Sequence, residues 1–192
     1  DRVGSQDQVC AAFGGLNHLR FAPDDSISVD PIPLPAERMA KFQDSLLLFF
    51  TGFSRYSSEV VAEQLQNVPR KQKELAEMGA MVGQGLRILT EGRDLADFGR
   101  LLHESWLIKR SLSSRVSTPE IDAMYETARK AGALGGKITG AGGGGFLLLF
   151  VDPDRQAAVR QALSHLLHVP FDLDHSGSQI IFSNPIPLET IP

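Results

Sequence analysis

The stretch Gly135-Gly136-Lys137-Ile138-Thr139-Gly140-Ala141-Gly142-Gly143-Gly144-Gly145 places seven glycines in eleven residues and runs directly into Phe146-Leu147-Leu148-Leu149-Phe150-Val151. Glycine loses more backbone entropy on folding than any other residue. A chain keeps such a run where the backbone must turn through positive φ, or where another group must approach the main chain closely. Consecutive N–H groups in a turn of this kind form a concavity that accepts anions, so a loop on or near phosphate is the first expectation. The familiar nucleotide loops do not fit. Gly140-x-Gly142-x-x-Gly145 has the spacing of the dinucleotide pattern, but that pattern opens a helix, and here a β-rich apolar run follows. A Walker A loop ends in Gly-Lys-Ser/Thr, whereas Lys137 and Thr139 precede the glycines. The order is strand, glycine loop, strand, and a glycine-rich hairpin that binds nothing is the competing reading.

The flanking sequence tells what this loop is set in. Gln8–Phe13 reads as a short helix ending at Gly14-Gly15, and Leu16–Phe21 alternates as a half-buried strand does. Pro31, Pro33 and Pro35 forbid regular structure and suggest a connector. Ser45–Thr51 is a continuous apolar run, suited to a strand buried on both faces. Helices are expected over 57–66, over 70–91, and along the stripe Leu95, Phe98, Leu101, Leu102 and Trp106. Thr118-Pro119-Glu120 starts another, with a threonine cap, proline at the first position and an acid in the first turn. Asp152-Pro153 starts a last one, with the stripe Val159, Ala162, Leu163, Leu166 and Leu167. Phe171–Asp174 and Gln179–Phe182 alternate as strands around Ser176-Gly177. The resulting order predicts an α+β fold: an antiparallel sheet with helices packed on one face, in a ferredoxin-like layout with extra inserted helices.

Composition narrows the partners. A net charge of −4 over 192 residues argues against sequence-independent nucleic-acid binding. A single cysteine, Cys10, leaves no internal disulfide and no cysteine-based zinc site. The apolar runs are too short to span a bilayer, so the expected setting is cytoplasmic, without a membrane. The chain opens on Asp1-Arg2-Val3-Gly4, without methionine, and reads as a piece of a longer protein.

Three places could carry chemistry. Gln6-Asp7-Gln8 puts a carboxylate between two amides before a helix, where it could take a proton from a hydroxyl or orient it, or simply cap the helix. Thr51-Gly52-Phe53-Ser54-Arg55-Tyr56-Ser57-Ser58 gathers hydroxyls, a guanidinium and helix N-terminal N–H groups, a sensible phosphate site or ordinary capping beside a solvated arginine. Lys137 and Thr139 flank the glycine loop, where a lysine could neutralise transferring charge or lie exposed on a strand. Lys109-Arg110 and Arg115 read as a solvated helix end, and the five histidines show no metal spacing. His103, beside Glu104, reads as a helix-face residue rather than a ligand.

Taken together, Lys137–Gly145 resembles the third signature motif of the GHMP kinases, small-molecule kinases named for galacto-, homoserine, mevalonate and phosphomevalonate kinase. Gln6–Asn17, Thr51–Arg55, Lys109–Ser113, Ser117–Asp122 and Gly177–Phe182 are most similar to its D-glycero-D-manno-heptose phosphate kinases. The resemblance implies a two-lobed ATP-dependent sugar kinase, with residues 1–35 the end of the N-terminal lobe plus connector and 36–192 the C-terminal lobe. It implies Asp7 as the catalytic carboxylate and Gly140, Ala141, Gly142, Gly143 and Gly144 as the loop at the ATP phosphates. Gln6, Ser54, Arg55, Lys137 and Thr139 become substrate contacts. The family's first two motifs are absent, so ATP and Mg2+ are expected to be held mainly by a missing N-terminal lobe, with this chain alone inactive. Apolar surface left by that lobe predicts a homodimer. A noncatalytic ferredoxin-like module that binds a small anion or a partner subunit is the alternative.

Overall fold

In the computed structural model, residues 5–53 and 57–182 are described. They divide into two units: Ile32–Asp172, and the described residues of 4–31 and 173–192.

In the second unit, α1 (Gln6–Phe13) is followed by the antiparallel pair β1 (Asn17–Phe21) and β2 (Ile27–Pro31). Regular structure therefore reaches into the proline segment: Pro31 closes β2, where a missing N–H matters least at an edge. The alternation at 171–174 and 179–182 does not produce strands. Two backbone hydrogen bonds instead tie Asp174 and Ser178 to the end of α1 and the glycine that follows it. Gly15 N donates to Asp174 O at 2.6 Å and Ser178 N to Ala12 O at 3.1 Å. Gly14 and Gly177 touch backbone to backbone, which leaves no room for a Cβ on either.

The unit Ile32–Asp172 opens with α2 (Ala36–Asp44), which the prolines had masked in the sequence; Pro35, at φ −53° and ψ 142°, is its entry residue. Arg38 anchors α2 by donating to the carbonyls of Ile88, Leu89 and Arg93 at 2.5–2.6 Å. A cation there meets the unsatisfied carbonyls at the end of a helix, namely α4 (Gln72–Thr90). The strand β3 (Leu46–Phe50) precedes α3 (Ser57–Asn67) and α4. Then come α5 (Leu95–Ser111), α6 (Pro119–Ala131), β4 (Ala133–Ile138), β5 (Phe146–Val151), α7 (Gln156–Ala162) and β6 (Leu167–His168). Thr118 caps α6 through Ile121 N, as its sequence predicts. Asp152 caps a 3-10 turn, Pro153–Arg155, before α7, which stops at Ala162; Leu167 belongs to a strand rather than to the helical stripe.

The sheet is antiparallel in the order β4-β5-β3-β6, with Leu47 opposite Leu149 and Gly136 opposite Leu149 on the other side. This is the ferredoxin-like arrangement with α3 to α6 inserted between the first two strands of the sheet. Burial in β3 alternates, so Leu47 and Phe49 face the core while Leu46, Leu48 and Phe50 are only half-buried; the strand is not closed on both faces. The core joins Leu47, Phe49, Leu147, Leu149 and Val151 to Ile121 and Tyr125 of α6 and Val159 of α7. Against β4, α5 lies so close that a Cβ on Gly135 would clash with the Gly99 carbonyl and stand 2.7 Å from His103 N. That close approach fixes where the C-terminal end of α5 meets the end of β4.

Candidate functional site

The glycine run is the β4–β5 turn. Thr139 N closes it on Phe146 O at 2.9 Å, and Gly145 O accepts from Thr51 N and from Thr51 Oγ1, both at 2.9 Å. Gly145 N donates to Phe53 O at 2.9 Å and Gly143 N to Val116 O at 2.8 Å. The loop is thus sewn to the end of β3 and to the segment before α6. Gly142 has φ +109°, and a Cβ there would stand 2.6 Å from Val116 O, so this position admits only glycine. The N–H groups of Gly140, Ala141, Gly142 and Gly144 have no protein acceptor among the described residues. Unpaired donors gathered on one positive-φ loop are what an anion-binding concavity requires.

Two lysines stand at this loop. Lys137, on β4, is half-buried, and burial lowers its pKa. Lys109, at the end of α5, donates to Gly140 O at 2.6 Å. Burial, and then the Lys137 charge, bring its pKa down to about 8. Among the described residues neither ammonium has a carboxylate in ion-pair range. Two half-buried like charges without a counter-ion are an unfavourable arrangement that a bound anion relieves.

The basic cluster expected to be solvated is instead committed residue by residue. Arg110 pairs with Asp122 at 3.1 Å, and Ser117 Oγ donates to the same carboxylate at 2.6 Å. Arg115 pairs with Glu59 at 2.9 Å and Glu63 at 3.1 Å. On α5, His103 Nδ1 lies 2.7 Å from Tyr125 Oη of α6.

Of the residues singled out in the sequence, Lys137, Thr139, Gly140, Ala141, Gly142, Gly143 and Gly144 come together on this turn. Gln6 and Asp7 stand together, exposed, in the first turn of α1 in the other unit. Ser5 holds the N-cap position and Asp7 does not serve as the cap; its carboxylate has no hydrogen bond or ion pair among the described residues. Ser54 and Arg55 lie outside the described residues. Sequence reasoning gave no role to Lys109 or to Gln64, whose Nε2 donates to Ala141 O at 3.3 Å. Lys109 did fall within a stretch that carried the resemblance; Gln64 had no sequence signal.

Among the described residues no three His, Cys, Asp or Glu side chains are grouped to hold a metal ion, and no helix is long and apolar enough to cross a membrane.

Comparison with known proteins bears on the family and the fold. Residues 86–168 match the family model described as GHMP kinases C terminal. The chain is 32% identical over 163 residues to a D-glycero-alpha-D-manno-heptose 7-phosphate kinase of Campylobacter jejuni, an alignment covering 83% of this chain and 48% of that protein. Among solved structures, a D-glycero-D-manno-heptose 1-phosphate kinase from Bacteroides thetaiotaomicron matches with a TM-score of 0.65 and 26% identity, over 94% of this chain and 50% of the other. An L. major mevalonate kinase in complex with R-mevalonate shares the fold, with a TM-score of 0.68 and 23% identity over 86% of this chain and 49% of that one. The chain therefore spans about half the length of each of these proteins.

Proposed function

We propose that this chain, which carries the C-terminal domain of a GHMP kinase, supplies part of the phosphoryl-transfer site of an ATP-dependent sugar kinase acting on a D-glycero-D-manno-heptose phosphate. The observation that carries the reading is the set of N–H groups on Gly140, Ala141, Gly142 and Gly144, unpaired among the described residues, beside two lysines that have no carboxylate partner among them. Such a site fits a phosphate dianion, and phosphoryl transfer depends mostly on positioning and on neutralising the charge of the transferring group.

In the reaction, an acceptor hydroxyl oxygen forms a bond to the γ-phosphorus of ATP, the bond to the β–γ bridging oxygen breaks, and ADP leaves with that oxygen. The hydroxyl proton passes to the Asp7 carboxylate, which has no hydrogen bond or ion pair among the described residues. The loop from Gly140 to Gly144 donates to the phosphoryl oxygens, and Lys137 offsets their charge. Thr139, Gln6, Ser54 and Arg55 are assigned to the acceptor. ATP supplies the phosphoryl group, and Mg2+, when bound, shields its charge; both are assigned mainly to the N-terminal lobe. Residues 1–35 are assigned to the end of that lobe and its connector, and 36–192 to the C-terminal lobe. This chain by itself is then expected to be inactive.

The similarity to both a heptose 7-phosphate and a heptose 1-phosphate kinase supports a phosphorylated heptose as acceptor. The test is turnover of the complete protein with ATP, Mg2+ and a panel of sugars and sugar phosphates. Heptose phosphates are expected to be the best acceptors, and Asp7→Asn to lower kcat by about 100-fold or more. An Asp7→Asn enzyme with undiminished kcat removes the base assignment. A complete protein that transfers no phosphate to any of the panel favours a noncatalytic anion-binding module instead.

A further inference from the structure

Two side chains hold consecutive carbonyls of the glycine loop from outside. Lys109 Nζ, from the end of α5, lies 2.6 Å from Gly140 O, and Gln64 Nε2, from α3, lies 3.3 Å from Ala141 O. In a planar trans peptide the carbonyl and the following N–H point in opposite directions. Fixing the Gly140 carbonyl therefore also fixes the Ala141 N–H, and fixing the Ala141 carbonyl fixes the Gly142 N–H. Neither of these N–H groups has an acceptor among the described residues. The next one, Gly143 N–H, is tied to Val116 O at 2.8 Å, so the arc is pinned on both sides.

The need for such handles follows from the backbone. Gly140 at φ +66° and Gly142 at φ +109° have no side chain to restrict them. Glycine populates alternative φ,ψ wells readily, and a flipped peptide would turn an acceptor oxygen toward a phosphate in place of a donor.

We propose that Lys109 and Gln64 are positioning residues: by holding the carbonyls of Gly140 and Ala141, they aim the N–H groups of Ala141 and Gly142 together at a phosphate group. This rests on the reading of the loop as a phosphate site, and it adds two residues on two helices that the reading itself does not require. The low pKa of Lys109, from burial and from Lys137 on β4, agrees with an ammonium held for use rather than for stability. The neighbouring Arg110 and Asp122 neutralise each other.

The test is titration of the 15N-labelled chain with inorganic phosphate at neutral pH, following the amide signals of Ala141 and Gly142. Saturable shifts are expected in the wild type. Gln64→Leu and Lys109→Met are each expected to raise Kd at least fivefold, by an order-of-magnitude reading of one lost orienting hydrogen bond. Lys109→Arg should stay within about twofold, because a guanidinium can donate to the same carbonyl. The thermal midpoint of Gln64→Leu should stay near the wild type and that of Lys109→Met should not fall, whereas a purely structural role would lower both. Gln64→Leu carries no charge change, so wild-type affinity in that variant overturns the proposal. Weakening in Lys109→Met alone also overturns it, since the lysine would then act only as a point charge. Wild-type amides that do not respond to phosphate would bring down the phosphate-site reading and the proposal with it.

Discussion

Lys109 shows how a single residue can serve a site at the expense of the fold. Its ammonium is half-buried, hydrogen-bonded to the Gly140 carbonyl, and repelled by Lys137. Its pKa falls from 10.5 in the unfolded chain to about 8 in the folded one. Between those values the unfolded state binds more protons, so this residue's contribution to stability rises as pH increases through that window. Below about pH 8 the penalty for burying the charge is fully present. Urea unfolding at pH 7.5 and pH 9.5 checks this: the wild type should gain stability between the two, and Lys109→Met should lose part of that gain. Equal gains in both proteins would mean that Lys109 is fully solvated. Asp7 illustrates the opposite case, a carboxylate without a hydrogen bond or ion pair among the described residues. A helix-start carboxylate can act as a cap or remain free for chemistry, and residue type alone does not separate the two. The placement of Ser5 at the N-cap does.

Among the elements, the β4–β5 hairpin and α5 determine the site together. Gly135 lets α5 lie directly on β4, with Gly99 and His103 at the contact. That contact sets where Lys109, ten residues beyond Gly99, arrives beside the loop. Gly135→Ala should force the Gly99 carbonyl away and destabilise the protein by about 3 kcal/mol, the upper range for overpacking, measured by urea unfolding. A loss below about 0.5 kcal/mol would show that α5 shifts freely, and that the position of Lys109 is not set by this contact. Most elements were legible because their signals are local: the Thr118 cap, the apolar run of β3, the glycine turn between two strands. The proline segment was misread for a physical reason. Pro31 sits at the end of an edge strand and Pro35 just before a helix, two places where a missing N–H has little effect. The alternating residues 179–182 carry a strand pattern, but they form no ladder with any described strand.

At the scale of the whole molecule, the described residues of 173–192 belong with those of 4–31 rather than with the sheet. That second unit has little interior of its own. Ile180, Ile181 and Phe182 are 88%, 96% and 81% exposed, and Phe13 and Phe21 are each more than half exposed. Apolar surface of this kind tends to find a partner, and the chain spans only about half of the proteins it resembles. The isolated chain is therefore expected to self-associate as a dimer through this unit. Light scattering across a concentration series checks it: Ile181→Ser with Phe182→Ser should shift the protein toward monomer, and a wild-type monomer at high concentration would rule the dimer out.

The sequence by itself determined the strand–loop–strand at the glycines, the helix caps and the ferredoxin-like order, because each follows from backbone freedom, hydrogen-bonding capacity or apolar periodicity within a short window. It also placed Lys137 and Thr139 at the loop, since they are covalent neighbours of it. Only the tertiary structure decided that Lys109 and Gln64 reach the same turn, and that Arg110 and Arg115 are consumed by carboxylates. Those contacts link residues 12 to 77 positions apart by the way α3, α5 and α6 pack. A lysine at a helix end looks the same in sequence whether it faces water or a glycine turn. Which of the two it faces is settled by the glycine contact that brings α5 onto β4.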